Sequence, residues 1–199
     1  MVILLADPDR DFLGSFKAWG EGAGDRVDTV FDGVQAATAA LSGQYDAAVI
    51  GEGLPRMSLP ELLLRLKQAQ LPTVLLKRKP LRSKDLLSPQ LPEGVLPFPF
   101  FPSELQELCR RVEENRRLGG EIRFGDVRID RSAFQLCGVI PVTAGEILLF
   151  ESLLKGEFPG GHLMELYADS LNHKLKHAGK SVRIIYKLQE GYRLVNENE

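Results

Sequence analysis

The sequence predicts two domains, a doubly wound α/β half made of five strand-helix units and an α+β half behind it, and three observations carry that reading. Residues 47–50, Ala-Ala-Val-Ile, offer no polar side chain to water and stop at Gly51, Gly53 and Pro55, the pattern of a strand covered on both faces of a parallel sheet. Apolar runs and helical periods alternate five times before residue 117. Gly119-Gly120 then breaks the chain, and beyond it the period shortens to the two-residue alternation of antiparallel strands.

Taken in order, residues 2–5 form the first expected strand, and Phe12, Leu13, Phe16 and Trp19 give residues 9–19 a helical period. Asp9 and Asp11 belong to that helix as cap and first-turn charge, in preference to a metal loop. Residues 27–31 are strand-like and 34–41 an Ala-rich helix. After the strand at 47–50 come a Leu-rich helix at 59–69, a strand at 73–76, a short helix at 83–87, a strand at 95–96 and a helix at 103–117. Past the break, residues 121–130 and 133–142 alternate as strands, with turns at Gly125-Asp126 and 130–132. Thr143 and Glu146 are spaced as a capping box ahead of Ile147, Leu148, Leu149, Phe150, Leu153 and Leu154. Phe158-Pro159-Gly160-Gly161 interrupts the chain, residues 162–167 and 168–178 read as two short helices, and residues 182–195 read as a strand pair closed near 189–191.

At 199 residues, 44% hydrophobic and 26% charged, the chain can bury two ordinary cores. Its net charge of −2 is spread evenly, with 15 basic and 16 acidic residues to position 117 and 10 and 11 after it, so any nucleic-acid footprint has to be local. Only Cys109 and Cys137 are present, no basic n-region precedes Asp7, and no apolar run approaches the ~18 residues of a membrane span. These features predict a cytoplasmic protein with reduced thiols. Asp169, His173 and His177 share a helical face but lack a fourth metal ligand, and no nucleophile-base pair or phosphate-binding glycine loop occurs. The expectation is a protein that is not an enzyme and uses no cofactor or metal.

Residues 1–117 resemble the CheY-like receiver domains of response regulators, in which an Asp ending the third strand accepts a phosphoryl group just before a Leu-Pro turn. Here that position is Gly51, ahead of Leu54-Pro55. The family's paired acids, which hold Mg²⁺, fall on Asp7 and Pro8. Its Thr or Ser after the fourth strand falls on Lys77, its aromatic switch residue on Val95 and its Lys on Phe98, and the resemblance implies a cis peptide before Pro99. One carboxylate cannot supply the octahedral oxygen set of Mg²⁺, and Glu52, one residue further along an extended chain, faces away from the Gly51 side. The resemblance with these departures implies a pseudo-receiver without a phospho-acceptor. Lys77 has two readings: its ammonium enters the vacated pocket and pairs with Asp7, or Lys77, Arg78 and Lys79 form a solvated basic loop.

Three pieces of the second half point the same way: Phe124-Gly125-Asp126-Val127-Arg128-Ile129-Asp130, then Val142-Thr143 opening an apolar helix, then Gly191-Tyr192-Arg193-Leu194-Val195. In order and spacing they resemble the winged-helix effector domain of OmpR/PhoB-type response regulators. The resemblance implies double-stranded DNA binding by residues 121–199, with His173, Lys174, Lys176 and His177 on the reading helix at 168–178 and Lys180, Arg183 and Lys187 offered by the wing. Six Lys or Arg against two acids between positions 168 and 193 supply the local positive excess. The chain departs from the family in having no Arg on the reading helix to fork onto guanine and in shortening the loop before it to residues 167–169. Two functions are expected from this. One is a phosphorylation-independent transcription regulator, homodimeric through residues 83–87, 95–98 and 103–117 with Leu86, Leu87 or Phe101 at the apolar centre. The other is a degenerate regulator that docks other proteins and keeps only vestigial DNA binding.

Overall fold

Five parallel strands and their crossovers build the first half of the computed structural model, which describes residues 1–157, 163–188 and 191–197. β1 (Val2–Ala6), β2 (Arg26–Val30), β3 (Ala47–Gly51), β4 (Thr73–Lys77) and β5 (Gly94–Pro97) lie in the order β2-β1-β3-β4-β5, every pair parallel. All of β3 is buried, as its unbroken apolar run requires. Alternation then sorts the side chains between the two faces. Leu4, Ala6, Ala48 and Ile50 share one core with Ala36 and Ala40 of α2 (Gly33–Ala40) and with Leu62 and Leu66 of α3 (Leu59–Gln68). The opposite face is covered by α1 (Arg10–Gly22) and α4 (Pro102–Leu118): Gly20 lies against Val27, and Gly94 lies between Val74 and Leu108. Asp9 caps α1, its carboxylate accepting from the backbone N–H of Asp11 and Phe12 at 3.1 Å each. The Phe98-Pro99 peptide is cis, as the resemblance implies.

The chain packs as two compact units, residues 1–81 with 92–114 and residues 82–91 with 115–199. The short helix at Ser83–Leu87 is a 3-10 turn that goes with the second unit. There Leu86 is fully buried, and the turn packs on α6 (Met164–His177).

In that second unit, β6 (Glu121–Phe124), β7 (Val127–Asp130), β8 (Gln135–Leu136) and β9 (Ile140–Pro141) form an antiparallel sheet in chain order. α5 (Ala144–Leu154) follows, then α6 and the antiparallel hairpin of β10 (Val182–Lys187) and β11 (Gly191–Asn196). The capping box forms as expected: Thr143 Oγ1 accepts from Glu146 N at 3.3 Å while the Glu146 carboxylate accepts from Thr143 N at 2.7 Å.

Two expectations are corrected. Residues 133–142, expected as one strand, are the short antiparallel pair β8 and β9, with Gln135 opposite Pro141 and Leu136 opposite Ile140. Residues 167–168 do not separate two helices, because Met164, Ala168, Leu171 and Leu175 all face the interior at i, i+4, i+7 and i+11, and one helix runs through. The expected interruption at 158–161, the helix start at His162 and the turn at 189–190 lie outside the described residues. Three contacts seat α6. The Asn172 amide donates to Ile184 O at 2.7 Å and accepts from Ile184 N at 2.8 Å, pairing with β10 as a neighbouring strand would. The Tyr167 ring leaves no room for a β-carbon at Gly145, which would come within 2.4 Å of it. Lys174 reaches Glu146 on α5.

Candidate functional site

At the carboxyl end of β1 and β3, where parallel sheets build their sites, the Asp7 side chain fills the space beside Gly51. A β-carbon placed on Gly51 would lie 1.9 Å from Asp7 Oδ2, so no larger residue fits while Asp7 stays. Asp7 is fully buried. Its Oδ1 accepts from Asp9 N at 2.8 Å and from Arg78 Nη2 at 2.5 Å, whereas Oδ2 has no hydrogen-bond partner among the described residues. Burial raises the carboxyl pKa above its ordinary value, against the lowering pull of the Asp9 N–H and of Arg78.

The cation in this pocket is Arg78, and both readings of Lys77 are corrected. Lys77 Nζ lies 3.6 Å from Glu52 Oε1, and Glu52 Oε2 accepts from Arg78 N at 3.0 Å, so Glu52 ties down the loop that delivers the guanidinium. Phe98, standing where the family has Lys, lies beneath Arg78 with its ring centroid 5.1 Å from the guanidinium carbon, and packs on Phe12 and Phe100. Val95 is buried in β5, and Pro8 is exposed and carries no ligand atom. The receiver resemblance pointed to Lys77, one residue short of the cation that pairs with Asp7. Only the longer, forked side chain at 78 spans to Asp7.

The second group of predicted residues separates by exposure. His173, Lys176 and His177 are exposed on α6 and Lys187 at the end of β10, whereas Lys174 is only 2% exposed. Its ammonium lies 2.7 Å from both Glu146 oxygens, so Lys174 is an interior ion pair and is removed from the expected phosphate contacts. Burial lowers its pKa and the Glu146 carboxylate opposes that shift. Arg183 is partly buried, its guanidinium donating to the carbonyls of Lys180 and Val182 and lying 3.4 Å from Glu197. Lys180 Nζ lies 3.8 Å from Asp126. Glu165 and Asp169 are exposed on the same helix as Lys176. The α6 surface is therefore of mixed sign.

No protein-family model matches the chain. Over 144 residues it is 31% identical to the response regulator protein PmrA of Pseudomonas aeruginosa PAO1, a match that takes in 68% of this chain and 64% of PmrA. The chain thus spans less than two thirds of that curated relative's length. Among solved structures, the receiver domain of Francisella response regulator 1452 matches 57% of this chain and 96% of its own at a TM-score of 0.52 and 23% identity. The receiver domain of a Pseudomonas aeruginosa PAO1 sensor histidine kinase, with magnesium coordinated in its active-site cleft, matches 56% of this chain and 96% of its own at 0.51 and 24%. A mutant of RitR matches 98% of this chain and 99% of its own at 0.62 and 18%. The chain is therefore similar in sequence to a response regulator, and its five-stranded unit has the receiver-domain fold.

Proposed function

We propose that this protein is a phosphorylation-independent, DNA-binding transcription regulator of the two-component response-regulator type. The observation that carries the reading is the filled pocket: Asp7 occupies the space a side chain at position 51 would need, and Arg78 neutralises it. Phosphotransfer requires an attacking oxygen and a metal ion to offset the incoming charge, and Gly51 and Pro8 supply neither. The Arg78–Asp7 pair, tethered by Glu52 and Phe98, supports a domain held in one state. DNA binding rests on the OmpR/PhoB-like pattern of the second half. It is supported by a hairpin held against α6 and by the exposed Lys176 and Lys187. A fixed receiver-like unit has a constitutive homodimer contact as its simplest remaining use. Phe101, 74% exposed at the start of α4, is its apolar centre, and Leu86, expected to share that role, is buried in the second unit.

Incubation with acetyl phosphate and Mg²⁺ should leave the mass unchanged. An acid-labile adduct of about 80 Da would defeat the phosphorylation-independent reading. Fluorescence anisotropy of the full chain on duplexes of random and promoter sequence, with light scattering for the dimer, tests the rest. A second reading, docking to another protein, is favoured by Glu165 and Asp169 beside Lys176 on α6, a face that repels phosphate as much as it attracts it. Absence of binding to any duplex at low salt would select it.

A further inference from the structure

We infer that the second unit contains a binding site for a small, mainly apolar ligand bearing one anionic group, such as an aromatic or medium-chain carboxylate. Leu87 and Pro89, the β8–β9 hairpin and α6 line a half-open cleft of about 320 Å³, within the range of small-molecule sites. Leu87, Pro89, Val139, Ile140 and Pro141 form its apolar wall. Its polar edge is one stretch of α6: His173, Lys174 and His177. None of the lining residues is acidic. The Lys174 ammonium is committed to Glu146, whose carboxylate also serves the α5 cap. The two imidazoles are uncommitted: neither has a hydrogen-bond partner among the described residues, and each carries an N–H that can donate to an anionic oxygen. Val139 at 77% and Leu87 at 42% exposure are apolar surface that a ligand would take from water. Apolar walls on one side and donors without a competing acid on the other select a ligand with an apolar body and a single negative head.

The same geometry bears on regulation, and this consequence rests on the DNA-binding reading above. His173 and His177 line the cleft and also belong to the expected reading surface of α6, so a ligand seated there competes with a duplex for them.

Calorimetric titration of the full chain with naphthoate and decanoate, and with naphthylmethanol as the uncharged isostere, tests the site. One molecule of naphthoate should bind, about tenfold more tightly than the alcohol, a difference the size of one charge-assisted contact. Val139→Glu, at an exposed position where the fold tolerates charge, should abolish binding by placing a carboxylate at the mouth. His173→Ala combined with His177→Ala, both also exposed, removes both donors and should bring naphthoate down to the affinity of the alcohol. No binding of either acid at millimolar concentration overturns the site, equal affinity for acid and alcohol overturns the anion recognition, and indifference to Val139→Glu overturns the location. If naphthoate binds as stated but no duplex does, the DNA-binding reading falls and the ligand site stands.

Discussion

At the scale of residues, Gly51 and Asp7 are a single unit. That position 51 bears no side chain is legible in the sequence; that the carboxylate of residue 7 stands where its β-carbon would be is not. Gly51→Ala should therefore cost about 1–3 kcal/mol, as overpacking of a closed interior does, measured by urea denaturation. In an Asp7→Ala background the same change should cost much less, because the colliding oxygen has gone, and equal costs in both backgrounds would disprove the coupling. The buried carboxyl also sets a pH dependence. Burial raises its pKa in the folded chain above the ordinary 3.8, so the folded state binds this proton more tightly than the unfolded one. The stability this group adds is full below 3.8 and fades as pH rises through the raised value. Asp130 runs the other way, its pKa lowered by the Ala133 N–H and the Ser132 hydroxyl, so its contribution is present above 3.8 and is lost on acidification. Asp7→Asn, which keeps an acceptor for Asp9 N and Arg78, should remove the first dependence and leave the second.

At the scale of elements, α6 shows what periodicity can and cannot disclose. Met164, Ala168, Leu171 and Leu175 spell one continuous helix, where two short ones at 162–167 and 168–178 were expected. The inner strands β1, β3 and β4 of the first unit were legible because buried parallel strands write themselves as apolar runs, whereas the edge strand β2 carries Arg26, Asp28 and Thr29. Lys174 was not legible. It sits at the edge of the apolar arc, where a lysine ordinarily extends its stem and keeps the charge in water. Here the partner that draws it inward is Glu146, which the capping box already commits to the interior. No local pattern links positions 28 residues apart. Lys174→Ala should leave that carboxylate buried without its cation and cost about 3–5 kcal/mol, seen as a large drop in the melting temperature followed by circular dichroism. Lys176→Ala, two residues on and exposed, should change stability by no more than about 0.5 kcal/mol. Equal effects would mean that the pair is not formed in solution.

At the scale of the whole molecule, the proposed DNA binding has a salt dependence set by the count of available cations. Six Lys or Arg lie between positions 168 and 193, but the fold engages most of them. Lys174 is buried against Glu146, Arg183 holds two backbone carbonyls and faces Glu197, Lys180 faces Asp126, and Arg193 is engaged in a further interaction. Lys176 and Lys187 remain exposed without an ion-pair partner among the described residues. Each phosphate neutralised contributes about −0.9 to the slope of log K against log[salt], so two contacts give about −2 per protomer, where six would give about −5. Lys180, paired only at 3.8 Å, can exchange its partner for a phosphate and bring the slope to about −3. Anisotropy titrations of the full chain over a salt series should find a slope between these two values for each bound protomer. Lys176→Ala and Lys187→Ala should each remove about one unit, equally on every duplex sequence, because a lysine on a phosphate carries no base preference. A slope near −4 would show that the Arg183–Glu197 pair opens on the duplex as well as Lys180–Asp126 and that the hairpin rearranges when it binds.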